Sequence, residues 1–248
     1  LSTIYQLQKK HNVNSVEALI EIQKELEEKN FAADHLEEAL EKAKSEMEDT
    51  ERQALELAKQ LSEKRIHATE PFSSAIQALL ASLGMPDATL QIQTQHKPLG
   101  PNGLDDFTIM FSANKGLQPQ PLKQVASGGE FSRLMFCIKY LLADKTALPT
   151  IVFDEIDTGI SGEIALKMGD MMRLMAQNHQ VIAISHLPQI AAKGETHYFV
   201  YKDNASDRAI SSIRKLTGEQ STEAIAKMIG GDNPSESAYV SAKELMSL

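Results

Sequence analysis

The chain has 248 residues, enough for one or two domains with a sizeable core, and its 42% hydrophobic and 24% charged content is that of ordinary globular domains. A net charge of −9 argues against a general basic footprint for nucleic acid, and one cysteine with 7 histidines, no pair of them at metal-binding spacing, argues against a zinc site or a disulfide framework. No apolar run approaches membrane-spanning length, and no secretory signal is visible.

Leu1 to about Lys10 reads as a helix with Leu1, Ile4 and Leu7 on one side, and His11-Asn12-Val13 as a break. Asn14 followed by Glu17 gives a capping box for a second helix carrying Val16, Leu19, Ile20 and Leu26. The pattern weakens near Asn30, which suggests a loop or a stutter. Ala33, Leu36, Leu40, Ala43, Met47, Thr50, Ala54, Leu57 and Leu61 then fall alternately three and four apart. That spacing predicts the seam of a left-handed coiled coil over roughly four heptads, and a seam requires a partner strand. A lone amphipathic surface helix would carry a wider stripe.

Pro71 marks a restart or a kink, and the helix after it carries Phe72, Ile76, Leu79, Leu80 and Leu83 before Gly84 and Pro86 stop it. Thr89–Thr94 and 107–111 read as two strands around a turn-rich segment, a hairpin expected to join the sheet of the domain that follows.

The stretch from Val125 to Asp157, VASGGEFSRLMFCIKYLLADKTALPTIVFDEID, has two halves. Ser127-Gly128-Gly129-Glu130 opens an apolar helix reaching to about Ala143. Bare backbone N–H groups at a helix start, with glycines admitting an anion and a serine hydroxyl as an added donor, make a phosphate cradle. Ser127 with Glu130 also fits an ordinary capping box. The second half is an apolar strand, Ile151-Val152-Phe153, that stops at two carboxylates. Ligands sit beyond the carboxyl ends of parallel strands, so Asp154 is a candidate Mg²⁺ ligand and Glu155 a candidate base for an attacking water. A solvated strand end is the plain alternative for either acid alone.

A tight loop from Asp157 leads to a helix with Ile164, Met168, Met171, Leu174 and Met175 on its core side. Val181–Ser185 is a second short strand ending at His186, beside the first. Pro188 opens a short helix closed by Gly194. His197–Tyr201 and Ile210–Leu216 read as edge strands. Two helices finish the chain, one around Glu219–Ile229 and one opened by a capping box from Asn233 to Glu236.

SGGE, then IVFDEID, then Ile184-Ser185-His186 resembles the signature, Walker B, D-loop and switch-histidine series of ABC-type ATPases. VASGGEFSR, FDEIDTGISG and HLPQIAA are similar to the RecN-type branch, the bacterial SMC-like ATPases of DNA repair. The resemblance covers nearly the whole chain. It departs at one point: no G-x-x-x-x-G-K-[ST] P-loop occurs in these residues, so the chain looks like the carboxy-terminal part of such a protein, cut within its arm.

The fold expected is α/β: a mainly parallel sheet with flanking helices, the carboxy-terminal lobe of an ABC/SMC-type head at 69–248, and a segment of a long antiparallel coiled-coil arm at 1–68. The resemblance implies ATP and Mg²⁺, head-to-head homodimers with two ATP molecules sandwiched, a missing amino-terminal half bearing the P-loop and the ascending arm helix, DNA as a partner, no membrane, and a bacterial cytoplasmic, nucleoid-associated location. It implies that Ser127, Gly128, Gly129 and Glu130 serve the γ-phosphate on the opposite head. Asp154 would support Mg²⁺, Glu155 would activate water and His186 would contact the γ-phosphate or that water. Asp157 would cross the dimer interface. Other SMC-like or Rad50-type proteins share these motifs. A transporter's nucleotide domain would lack the seam, and a structural coiled-coil protein with an inactive head is the reading from another class.

Overall fold

A computed structural model describes all residues except 125–127, 147, 204–209 and 248, with backbone alone at 32–34, 202, 203 and 210. It divides into two units, Leu1–Glu63 with Lys97–Leu104, and Lys64–His96 with Asp105–Leu248.

In the first unit, α1 (Ser2–His11) ends at Asn12, whose left-handed backbone (φ 58°, ψ 42°) turns its N–H back to the Gln8 carbonyl. The next helix, α2 (Val16–Ser82), is capped by Ser15, whose Oγ accepts the Ala18 N–H at 3.1 Å. The expected cap at Asn14 is therefore one residue early. Over 67 residues α2 is continuous, which removes the loop near Asn30 and the restart at Pro71 and leaves the stutter and the kink as the readings that a single helix allows. Pro71 and His67 both face water, so the His67 carbonyl that loses its helical donor stays hydrated. Leu36, Leu40, Met47 and Leu57 of the seam stand exposed along α2.

In the second unit, α2 ends where Gly84 takes φ +79° and Met85 N–H reaches back to the Leu80 carbonyl at 2.9 Å. The φ of Gly84 favours glycine, and a Cβ there would press on the end of the Ile164 side chain. Strands β1 (Thr89–Gly100), β2 (Gly103–Ser112) and β3 (Gln120–Pro121) form a sheet of their own in that order. The expectation that this hairpin joins the later sheet is corrected: β2 spends its free edge on β3, pairing Met110 with Pro121.

Helix α3 (Gly128–Thr146) leads to β4 (Thr150–Asp154), α4 (Gly162–Met175) and β5 (Gln180–Ile184), and β4 and β5 pair in parallel. After α5 (Pro188–Ala191), strands β6 (Tyr198–Asp203) and β7 (Ile210–Lys215) pair antiparallel, followed by α6 (Gly218–Gly230) and α7 (Glu236–Ser247). Among the described residues the parallel part is the β4–β5 pair, and the other two sheets are separate from it.

One core gathers Ile76, Leu80 and Leu83 of α2, Leu134 and Phe136 of α3, Phe153 of β4 and Met168, Met172 and Met175 of α4. The Phe136 and Phe153 rings lie 5.3 Å apart, tilted, a favourable aromatic pairing. The methionine stripe is core, but Met172 is buried where Leu174 was expected, and Leu174 faces out. Gly169 lets α4 and α5 close up, since a Cβ there would meet the Gln189 carbonyl at 3.2 Å and Lys193 Cγ at 2.9 Å. Cys137 is buried, and burial pushes its thiol up to about 12, so it packs and does not react. A second cluster joins Ala192, Ile225, Ala226 and Ala242. Helix α6 opens with a Thr217–Gln220 capping box, and Ser235, not Asn233, caps α7 by accepting the Ala238 N–H at 3.4 Å.

Candidate active site

The register of β4 against β5 places Asp154 opposite Ile184, so the acids and the Ser185-His186 pair leave the sheet side by side. The ladder continues one step further, with Glu155 N–H donating to the Ile184 carbonyl at 3.2 Å. Glu155 then turns into the left-handed region at φ +46°. For a residue with a long side chain that conformation costs about 1–3 kcal/mol and persists where surroundings enforce it, commonly at functional positions. Here Thr158 helps to hold it, donating its Oγ–H to the Glu155 carbonyl at 3.0 Å. Asp154 and Glu155 are exposed.

Asp157 points inward and is 0% exposed. Its Oδ2 accepts the Ser185 hydroxyl at 2.5 Å and the His186 backbone N–H at 3.0 Å, and His186 Nδ1 lies 3.2 Å away. Ser185 Oγ in turn accepts the Leu187 N–H at 3.0 Å, tying the strand end to the start of α5. Asp157 Oδ1 is buried and has no hydrogen-bond partner among the described residues.

The glycine tip of α3 rests on this same loop. A Cβ on Gly129 would stand 2.9 Å from the Thr158 carbonyl oxygen and 3.7 Å from Gly159 Cα, while a Cβ on Gly128 would meet nothing within 4 Å. Gly159 itself needs φ +76°. Two α3 side chains brace the tip, Ser132 Oγ–H donating to Gly128 O at 2.8 Å and Arg133 Nε–H to Gly129 O at 3.3 Å.

The structure thus gathers Asp154, Glu155, Asp157 and His186 at one strand end and sets Gly129 against the loop between them. Glu130 is half-buried on the first turn of α3. Ser127 lies outside the described residues. Ser185 is also part of the arrangement; its signal in the sequence is a hydroxyl directly after an apolar strand.

Could these groups hold a divalent cation? Among the described residues no cluster of three or more His, Cys, Asp or Glu side chains offers a complete protein cage. Mg²⁺ needs none: it takes one or two carboxylates, substrate phosphates and water. An exposed Asp154 at a strand end fits that donor set.

Compared with known proteins, the chain matches no family model. It is 32% identical to the DNA repair protein RecN of Halalkalibacterium halodurans over 254 residues, covering all of this chain and 45% of that protein. It is 39% identical to RecN of Xylella fastidiosa over 193 residues, 76% of this chain and 34% of that protein. RecN of Deinococcus radiodurans matches at 38% over 194 residues, 77% of this chain and 34% of that one. The chain therefore spans between a third and a half of the length of these relatives. Among solved structures, the Smc head domain with an extended coiled coil from Pyrococcus furiosus, bound to the C-terminal domain of ScpA, superposes with a TM-score of 0.52 at 18% identity. That match covers 92% of this chain and 55% of that one, and shows a shared fold.

Proposed function

Since this chain belongs to the RecN family of DNA repair proteins, we propose that it is part of an SMC-like ATPase, the carboxy-terminal lobe of the head at 69–248 with arm helix at 1–68. The observation that carries the reading is the strand end itself. A strained Glu155 follows Asp154 at the end of a strand whose parallel neighbour leads into His186, with a glycine helix tip laid against the same loop.

In this reading Glu155 takes the proton from the attacking water and His186 faces the γ-phosphate. Asp154 holds Mg²⁺, which when bound neutralises charge on the phosphates. Phosphoryl transfer asks the protein mainly for positioning and charge stabilisation, which rigid strand ends supply. Ser127, Gly128, Gly129 and Glu130 serve the nucleotide of a second head, so the working unit is a homodimer closed on two ATP molecules. Most of the nucleotide is held by a P-loop from residues outside this chain. Support for such a missing lobe comes from Val152, Ile182 and Ile184, 50%, 45% and 54% exposed on one face of the parallel pair. Parallel sheets are ordinarily covered on both faces. DNA is the expected partner, at a place that the acidic chain does not reveal, and a location at the nucleoid follows from the same reading.

The test is Glu155→Gln in the longer protein that carries the P-loop. Hydrolysis should fall by about 100-fold or more, as for loss of a general base, while ATP-bound dimers accumulate in size-exclusion chromatography. Dimers that dissociate at the wild-type rate with ATP present would remove Glu155 from the role.

A further inference from the structure

We propose that Asp157 is the positioning residue for His186, a buried carboxylate of the same chain that sets which ring nitrogen the histidine presents. The proposal rests on the reading above only in that the presented nitrogen faces phosphate or water.

The His186 ring is 68% exposed, so packing does little to hold it. What orients it is Asp157. The carboxylate Oδ2 binds the His186 backbone N–H at 3.0 Å and lies 3.2 Å from ring Nδ1. A carboxylate oxygen attracts an N–H and repels a nitrogen lone pair, so the ring form with its proton on Nδ1, the nitrogen 3.2 Å away, is the favoured one. Nε2 is then the nitrogen left to face outward, which is how a carboxylate set behind a working histidine selects its tautomer. The backbone N–H of the same residue is bound by that oxygen, which keeps the ring nitrogen beside it. The same Oδ2 takes the Ser185 hydroxyl at 2.5 Å, and Ser185 Oγ accepts Leu187 N–H, so strand end, ring and the α5 start share one anchor.

Stability alone does not account for the group. A carboxylate with no exposed surface, and with Oδ1 unpartnered among the described residues, is expensive to keep. An unsatisfied buried oxygen next to an exposed histidine is the pattern of a residue kept for function. Within its own chain this side chain accepts from Ser185 and from the His186 backbone.

The test uses two-bond ¹H–¹⁵N correlation spectra of the ¹⁵N-labelled chain at a pH where the ring is neutral. His186 should show a protonated Nδ1 and a bare Nε2, and a wild-type ring protonated on Nε2 would overturn the proposal without any variant. Asp157→Ala should shift the ring towards the Nε2–H form, whereas Ser185→Ala, which leaves the Asp–His contact, should not; no change in Asp157→Ala would also overturn it. In the longer protein, Asp157→Ala should lower kcat about 10- to 100-fold with KM nearly unchanged, the usual scale for a supporting partner. An unchanged kcat would reject the positioning role. If the wild-type longer protein turns over no ATP, the ATPase reading fails, and the tautomer spectra still decide the Asp157–His186 link by themselves.

Discussion

Gly128 and Gly129 are adjacent in the chain and differ in what surrounds them. Gly129 is pressed against the Thr158 carbonyl, where a methyl group would stand 2.9 Å away; Gly128 opens onto free space. Gly129→Ala should therefore destabilise the chain by about 1–3 kcal/mol, the usual cost of overpacking, as read from the urea midpoint. Gly128→Ala should leave stability within about 0.5 kcal/mol while weakening ATP-driven dimerisation of the longer protein, because a methyl group then stands where an anion approaches. Equal destabilisation by both would mean that the tip is a structural cap and nothing more. The acids and the histidine were legible from their place at the ends of apolar runs. What Asp157 does was not, because the direction in which a loop carboxylate points depends on a strand 28 residues further on.

Helix α2 shows how far an element can be read from its pattern. Leu57 and Leu80 belong to one helix and look alike in sequence, but Leu57 is 66% exposed and Leu80 is 0% exposed. Leu80→Ala should cost about 2–5 kcal/mol in chemical denaturation, and Leu57→Ala less than about 0.5 kcal/mol in this chain. A large loss for Leu57→Ala would show the seam already paired. Periodicity identified which residues share a face of α2. At Pro71 it left a restart or a kink open, and the helix continues because the residues that follow, Phe72, Ile76 and Leu80, are packed into the core.

A pH-sensitive joint lies at the other end of the site-bearing elements, between α3 and the turn before β5. His179 Nδ1 lies 2.6 Å from the Leu148 carbonyl and Nε2 lies 3.0 Å from Asp144 Oδ1. Both neighbours accept, so both nitrogens are best protonated. The Leu148 carbonyl first, then Asp144, hold the imidazole above its usual range, and the His179 hydrogen bond holds Asp144 below its own. The histidine's contribution is complete below its unfolded value of about 6.5 and is lost as pH rises through the raised folded one. The aspartate's is present above about 3.9 and is lost as pH falls. The pair should thus stabilise most between about pH 4 and 6.5, and His179→Gln should flatten the urea midpoint against pH above that window. An unchanged profile in the variant would show the contact to be inert.

For the whole molecule, the proposed arrangement has a plain consequence: this chain by itself should hydrolyse ATP at no more than background rate in a phosphate-release assay, and adding the residues that carry a P-loop should restore turnover. Robust activity of the chain alone would end that account. The exposed apolar face of β4–β5 belongs to the same scale, since nothing in Ile182 or Ile184 says whether a buried-strand pattern will be covered on one side or two.

Local chemistry already present in the chain determined the helices, the strand ends at Asp154 and His186, the glycine helix tip and the seam of the long helix. Each of these depends on neighbours within a few residues and on hydrophobic spacing. Tertiary structure alone decided that β2 would pair with β3 in a separate sheet, that Gly129 would press on Thr158, and that Asp157 would turn inward to His186. These are contacts between segments far apart in sequence, set by which surfaces meet when the core closes, and no spacing of residue types records them.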